Sequence, residues 1–194
     1  MRTIVTIFTV LAFSTLINAQ KKGTMIDDRD GKTYATVEID SVVWMAQNLA
    51  YKPKKGVCCP YDKKPSNVVI YGYLYDWQTA LNVCPDGWHL PDNKEWLHLE
   101  AAGGSIPIST ALVAKTGWSD YKGTDSLGFS ALPGGYRVGV DGYFFKYITR
   151  EGYWWTSTAK DEEEAYQFQL SLSGTSHIAY GKKCGMSVRC VKNK

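Results

Sequence analysis

Apolar and polar positions alternate from Tyr34 to Ile39, with Ala35, Val37 and Ile39 on one side and Tyr34, Thr36 and Glu38 on the other. A period of two predicts a β-strand. Asp30-Gly31 just before it is a turn dipeptide, and the apolar run Val42-Val43-Trp44-Met45 follows. Residues 51–67 break the pattern; they are rich in Lys and Pro, contain Cys58-Cys59, and read as a surface insertion. Residues 70–75 are aromatic and strand-like. The period then changes. Trp77, Ala80, Leu81 and Cys84 fall at i, i+3, i+4 and i+7, which predicts a helix capped by Asp76 with Cys84 turned to the core. A second helix is predicted from Asp92, where Glu95 completes a capping box and Trp96, Leu97, Leu99 and Ala101 supply the apolar positions, until Gly103-Gly104 stop it.

Beyond residue 125 the chain reads as strands and turns. The expected strands are 128–138, a hairpin across Asp141-Gly142, 153–158, a run in which Tyr166, Phe168, Leu170 and Leu172 alternate with Gln167, Gln169 and Ser171, and 186–191. Two early helices followed by an antiparallel sheet place the chain in the α+β class.

The first residues change the expected compartment. Arg2 precedes an apolar stretch over 4–17, and Ile17-Asn18-Ala19 followed by Gln20 has the small residues of a cleavage site. Residues 1–19 are therefore read as a signal peptide and 20–194 as one domain, with a secreted, periplasmic or cell-surface location. A membrane anchor is the alternative, but the apolar stretch is shorter than the roughly 20 residues a bilayer span needs. No cysteine stands at the cleavage point to accept a lipid. The net charge of +3 is too small to argue for nucleic acid. The one basic cluster, Lys52 to Lys64, reads as a solvated loop. Aromatics make up 13% of the chain, including 7 Trp and 13 Tyr, residues that serve half-exposed ligand-facing surfaces as well as cores. Core is the favoured reading for Trp44, Trp77, Trp88, Trp96, Trp154 and Trp155.

Five cysteines, at 58, 59, 84, 184 and 190, point in an exported chain to disulfides. Structural zinc needs paired ligand spacings, and there is no C-x-x-C. Asp28-x-Asp30-Gly31 is too short for a calcium loop and lacks the closing glutamate, and Asp161 to Glu164 reads as a solvated turn. His89, His98 and His177 show no metal-ligand pairing; Glu95-x-x-His98 is half of a di-iron motif without its second copy. G-x-S-x-G, phosphate-loop and dinucleotide motifs are missing. No catalytic residue, metal ligand or cofactor is expected.

Several blocks in order carry a family likeness. They are Asp30-Gly31-Lys32-Thr33-Tyr34, Trp44-Met45-Ala46-Gln47-Asn48-Leu49, Tyr71-Gly72-Tyr73-Leu74-Tyr75 and Cys84-Pro85-Asp86-Gly87-Trp88-His89-Leu90-Pro91 with Glu95-Trp96. They continue with Gly128-Phe129-Ser130-Ala131-Leu132-Pro133-Gly134-Gly135-Tyr136-Arg137, Trp154-Trp155-Thr156-Ser157-Thr158 and Ser187-Val188-Arg189-Cys190-Val191. Together they closely resemble the Fibrobacter succinogenes major paralogous domain family. The resemblance implies an exported bacterial domain of the C-type lectin-like superfamily, with helices packed on a twisted antiparallel sheet and long irregular loops. It also implies a bridge between the first helix and the last strand, at Cys84 and Cys190, leaving Cys184 to pair with Cys58 or Cys59. Closing a loop of that length contributes about 4 to 5 kcal/mol in the chain-entropy model.

In lectin-like domains the ligand face resembles an irregular loop region leading into the late strands. Here that implies Trp118, Tyr121, Tyr136, Arg137, Tyr143, Tyr147 and Tyr153 as ligand-binding residues, for an extracellular glycan or protein. The calcium motifs of sugar-binding lectins, Glu-Pro-Asn or Gln-Pro-Asp with Trp-Asn-Asp, are absent. Leu90-Pro91-Asp92-Asn93-Lys94-Glu95-Trp96 is similar to a run in the formylglycine-generating enzymes, which bind copper through a cysteine pair near the C-terminus. Cys184 and Cys190 depart from that spacing by one residue, and a structural bridge at Cys190 removes the thiolate pair copper requires. The expectation is a non-catalytic recognition module. A copper-dependent thiol oxidase and a purely structural or adhesive surface protein are the alternatives.

Overall fold

The computed structural model describes residues 20–104, 106–139 and 144–194; the expected signal peptide at 1–19, Tyr143 and the expected hairpin across Asp141-Gly142 lie outside the described residues. β1 (Lys21–Asp27) and β2 (Lys32–Ile39) form an antiparallel pair, and β3 (Val42–Met45) pairs with β2. The Asp30-Gly31 turn closes by donation of Gly31 N to Asp27 O at 2.8 Å, with Gly31 in the left-handed region at φ 71°. The alternation in β2 separates two cores: Val37 and Ile39 enter one, Tyr34 the other.

The insertion is more ordered than its composition predicts. It contains β4 (Cys58–Cys59), a 3-10 turn at Tyr61–Lys63 and the helix α1 (Ser66–Tyr71), and only then β5 (Leu74–Tyr75). Residues 70–75 are thus helix end and short strand, not one strand. Val68-Val69-Ile70 favours a strand by propensity, but Pro65 opens a helix and Gly72, at φ 73°, closes it with its N–H on Val68 O at 3.0 Å. α2 (Trp77–Ala80) begins as expected, with Asp76 Oδ1 accepting from Thr79 N at 2.8 Å, but ends before reaching Cys84. After β6 (Trp88–His89), α3 (Asn93–Ala101) carries the full capping box between Asp92 and Glu95. A further helix, α4 (Ile108–Leu112), makes four α-helices among the described residues, where two were expected.

The second half contains β7 (Tyr136–Val138), β8 (Phe144–Lys146), β9 (Gly152–Ala159), β10 (Glu164–Ser171), β11 (Gly174–Gly181) and β12 (Val191–Lys192). The sheets are antiparallel, in the orders β1-β2-β3-β12-β6 and β11-β10-β9, with the pairs β4-β5 and β7-β8. The chain is mixed α+β. Of the expected strand 128–138 only β7 joins a ladder; Ala131 makes an isolated bridge to Val113, and Ser130 and Gly135 take left-handed φ values of 54° and 61°. Of the expected strand 186–191 only Val191 joins a ladder, in β12, and the residues before it form a seam. Gly185 pairs with Arg137, Met186 with Tyr75 and Ser187 with Trp154, each on a different segment. Leu172 leaves the alternation of β10 and lies exposed in the turn before β11.

One core packs Trp44, Trp96, Phe129, Trp154 and Phe168, with Trp96 stacked on Phe168 at 4.4 Å. The other gathers Tyr75, Trp77, Tyr136, Tyr153, Trp155 and Met186. Two indoles of this core find acceptors, Trp77 Nε1 donating to Thr156 O and Trp155 Nε1 to Tyr75 O, both at 2.8 Å, whereas Trp96 Nε1 in the other core has no hydrogen-bond partner among the described residues. Trp88 is only half-buried. Cys84 and Cys190 form the expected disulfide, with Cα atoms 5.9 Å apart across 106 residues. The second bridge is not formed; Cys58, Cys59 and Cys184 hold free thiols. Among the described residues no helix is long and apolar enough to cross a membrane.

Candidate functional site

Three segments distant in sequence converge at the open end of the β9-β10-β11 sheet. They are Trp118 to Tyr121, Thr149 to Glu151, and Ser171 to Ser173, and they enclose a cleft of about 410 Å³. Trp118 is nearly buried, its Nε1 donating to Ala131 O at 2.9 Å, and its ring meets Tyr121 edge-on at 6.3 Å. The Tyr121 hydroxyl lies 2.7 Å from Thr110 Oγ1 on α4. Leu172, 65% exposed, supplies an apolar patch on the opposite wall.

The middle segment is held under backbone strain. Tyr147 and Thr149 adopt left-handed φ values of 66° and 64°, which side chains with a Cβ populate only when the surroundings require it. Those surroundings are visible. Thr149 N donates to Pro133 O at 2.9 Å, Ser119 N donates to Thr149 O at 2.8 Å, and Glu151 N donates to Tyr147 O at 2.9 Å. The two flexible-looking walls are therefore lashed together.

Glu151 is positioned from below. Its carboxylate accepts from the Tyr153 hydroxyl and, at 2.8 Å, from Gln169 Nε2, whose Oε1 in turn accepts from Ser176 Oγ at 3.0 Å. Burial first, and the neighbouring Glu151 carboxylate second, push the Tyr153 hydroxyl far above its ordinary pKa, so it stays a donor to Glu151. The cleft thus offers a fixed carboxylate, the exposed Arg150 guanidinium, serine hydroxyls and aromatic edges. Among the described residues its walls include no histidine or cysteine.

The seven expected ligand residues divide. Trp118 and Tyr121 line the cleft. Tyr136, Arg137 and Tyr153 do not reach solvent: they are 5%, 2% and 2% exposed, and Arg137 is turned inward, its Nη2 donating to Lys183 O at 3.1 Å. This corrects their reading as surface contacts; each sits where strands cross, and Tyr136 and Tyr153 pack ring to ring at 4.8 Å. Tyr147 caps that pair from outside, 6.1 Å from Tyr136 and 6.3 Å from Tyr153. Tyr143 is outside the described residues. Arg150, Glu151, Leu172 and Ser173 were missed. The one available signal was Leu172, a leucine flanked by Ser171 and Ser173-Gly174 where the strand has to turn.

Burial pushes the thiols of Cys58 and Cys59 above the ordinary value, which keeps them protonated at neutral pH. Cys190 shares its sulfur with Cys84, so it does not face Cys184 as a second thiolate. Among the described residues no group of three or more His, Cys, Asp or Glu is arranged to hold a metal. His89 lies between Asn193 Oδ1 at 2.7 Å and Glu95 at 2.9 Å, and His177 between Asn93 Oδ1 at 2.7 Å and Glu100 at 2.9 Å, both bracing α3.

The family described as Fibrobacter succinogenes major domain matches residues 37–192. No curated protein and no solved structure matches the chain.

Proposed function

The chain belongs to the Fibrobacter succinogenes major domain family, and from that premise we propose that it is an exported, non-catalytic recognition module of C-type lectin-like architecture that binds an extracellular polysaccharide in the cleft between Trp118 and Leu172. The observation that carries this reading is the strained, doubly bonded loop Tyr147 to Glu151, which holds a carboxylate and a guanidinium beside aromatic edges. Sugar hydroxyls are read by such planar polar groups, and their C–H faces pack on aromatic and aliphatic surface. Pre-set side chains lower the ordering cost of binding a flexible polymer. Export is supported by the composition of residues 1–19 and by the bond between Cys84 and Cys190.

A glycan array probed with the purified protein, with and without calcium, tests the reading. Binding to one glycan class, independent of calcium and lost in Arg150→Ala and Leu172→Ser, is expected; both side chains are exposed, so the variants fold. Absence of glycan binding, or binding indifferent to both substitutions, overturns it.

A further inference from the structure

We propose that the segment 51–72, which joins the insertion to α1, is a docking surface for a lipid bilayer bearing anionic headgroups. The segment carries Lys52, Lys54, Lys55, Lys63 and Lys64 against the single acid Asp62, a net four positive charges in a chain whose total is +3. The rest of the molecule is therefore slightly negative, and the positive field belongs to this segment. All five lysines are exposed.

On the same segment α1 presents two adjacent aliphatic side chains to solvent, Val69 at 90% and Ile70 at 55% exposure. A single exposed aliphatic residue is ordinary, but a neighbouring pair set within a basic segment is the composition of an interfacial anchor. Burial in the acyl boundary removes the pair from water while the ammonium groups remain among the phosphates.

The helix that carries them is braced on its inner side. Tyr71 O accepts from Asn48 Nδ2 at 2.9 Å, Tyr61 O accepts from Asn67 Nδ2 at 2.9 Å, and the Tyr61 ring packs on Phe145 at 5.0 Å. The pair is thus presented by a fixed scaffold, and its exposure follows from Pro65 and Gly72 forcing a helix where Val68-Val69-Ile70 alone favours a strand. An anionic polysaccharide satisfies the lysines but offers no apolar phase to the aliphatic pair. A protein groove takes a longer amphipathic face than six helical residues supply. A bilayer accommodates both features. The surface shares no residue with the cleft, so the two functions are separable.

Flotation of the full chain with vesicles of phosphatidylcholine alone, or mixed with phosphatidylglycerol, tests the proposal. Because residues 4–17 are themselves apolar, the comparison is among proteins that share them: wild type, Val69→Ser/Ile70→Ser, and Lys54→Gln/Lys55→Gln/Lys64→Gln. The substituted side chains are exposed, and unchanged thermal unfolding verifies their folds. Wild type is expected to partition at least about tenfold more onto the anionic vesicles, with both variants losing that excess and high salt removing it. Equal partition of wild type and the serine variant, or no dependence on lipid charge, overturns the proposal. So does self-association of the wild type in sedimentation that the serine variant abolishes, which assigns the pair to a second copy of the chain. Neither result touches the cleft.

Discussion

Asn48 Oδ1 accepts from Arg189 Nε at 2.9 Å, joining residues 141 apart at the point where both cores meet. The same oxygen accepts from Trp154 Nε1 at 2.8 Å, while Asn48 Nδ2 donates to Tyr71 O and, at 3.2 Å, to Ser187 Oγ. Arg189 is fully buried over the Phe129 ring, and its remaining donors reach the carbonyls of Phe129 and Ser130. Desolvation pulls its pKa down to about 9, against the smaller opposing effect of the Asp125 charge. A guanidinium is the only side chain with donors in enough directions to serve these acceptors. Arg189→Met is expected to cost about 3 kcal/mol or more, because two carbonyls and the Asn48 oxygen lose a buried donor. Asn48→Leu is expected to cost about as much, and the double variant less than the two together. Urea unfolding of the three proteins measures the coupling; additive losses contradict the shared network.

The Cys84–Cys190 bond closes a span of 106 residues. Paired replacement by Ser is expected to lower stability by about 4 to 5 kcal/mol, the value the loop size sets in the chain-entropy model. Unfolding with and without reductant checks it. Wild type under reductant should match the double variant, and a loss near zero contradicts the account.

A pH dependence follows from Glu100. Burial pushes its carboxyl up, but hydrogen bonds from His177 and Thr175, together with the His177 charge, outweigh burial and hold it below the ordinary 4.5. A lowered acid pKa means the unfolded chain binds the proton first, so this stability is present above pH 4.5 and is lost as the pH falls through the folded value. Glu100→Gln is expected to flatten the acid side of the profile below pH 4.5. A slope there identical to wild type removes the assignment.

Gly135 is expected to reject a side chain. It sits at φ 61°, and a Cβ there would strike Lys146 O and come within 2.7 Å of Ile148 N and 2.8 Å of the Tyr61 ring. Gly135→Ala should therefore destabilise by more than the roughly 1 kcal/mol of an ordinary left-handed position, since backbone must move. Gly31→Ala, with φ 71° and open space around the site, should cost only that smaller amount. Thermal unfolding of the pair separates steric from conformational cost.

The sequence by itself determined what depends on near neighbours. The Asp92–Glu95 capping box, the Asp76 cap, the Asp30-Gly31 turn and the alternation of β2 and β10 are interactions within a few residues, so composition and spacing carry them. Only the tertiary structure decided the rest. Val68-Val69-Ile70 became helix because Pro65 and Gly72 outweigh β-propensity, which is itself a measure of packing on neighbours that α1 lacks. Gly174–Gly181 became a strand because β10 offered it a full edge. Tyr136, Arg137 and Tyr153 went inside and Arg150, Glu151 and Leu172 formed the cleft because strand pairing set which residues lie over others. A hydrophobic period tells a residue which face it is on; only long-range pairing tells that face what covers it.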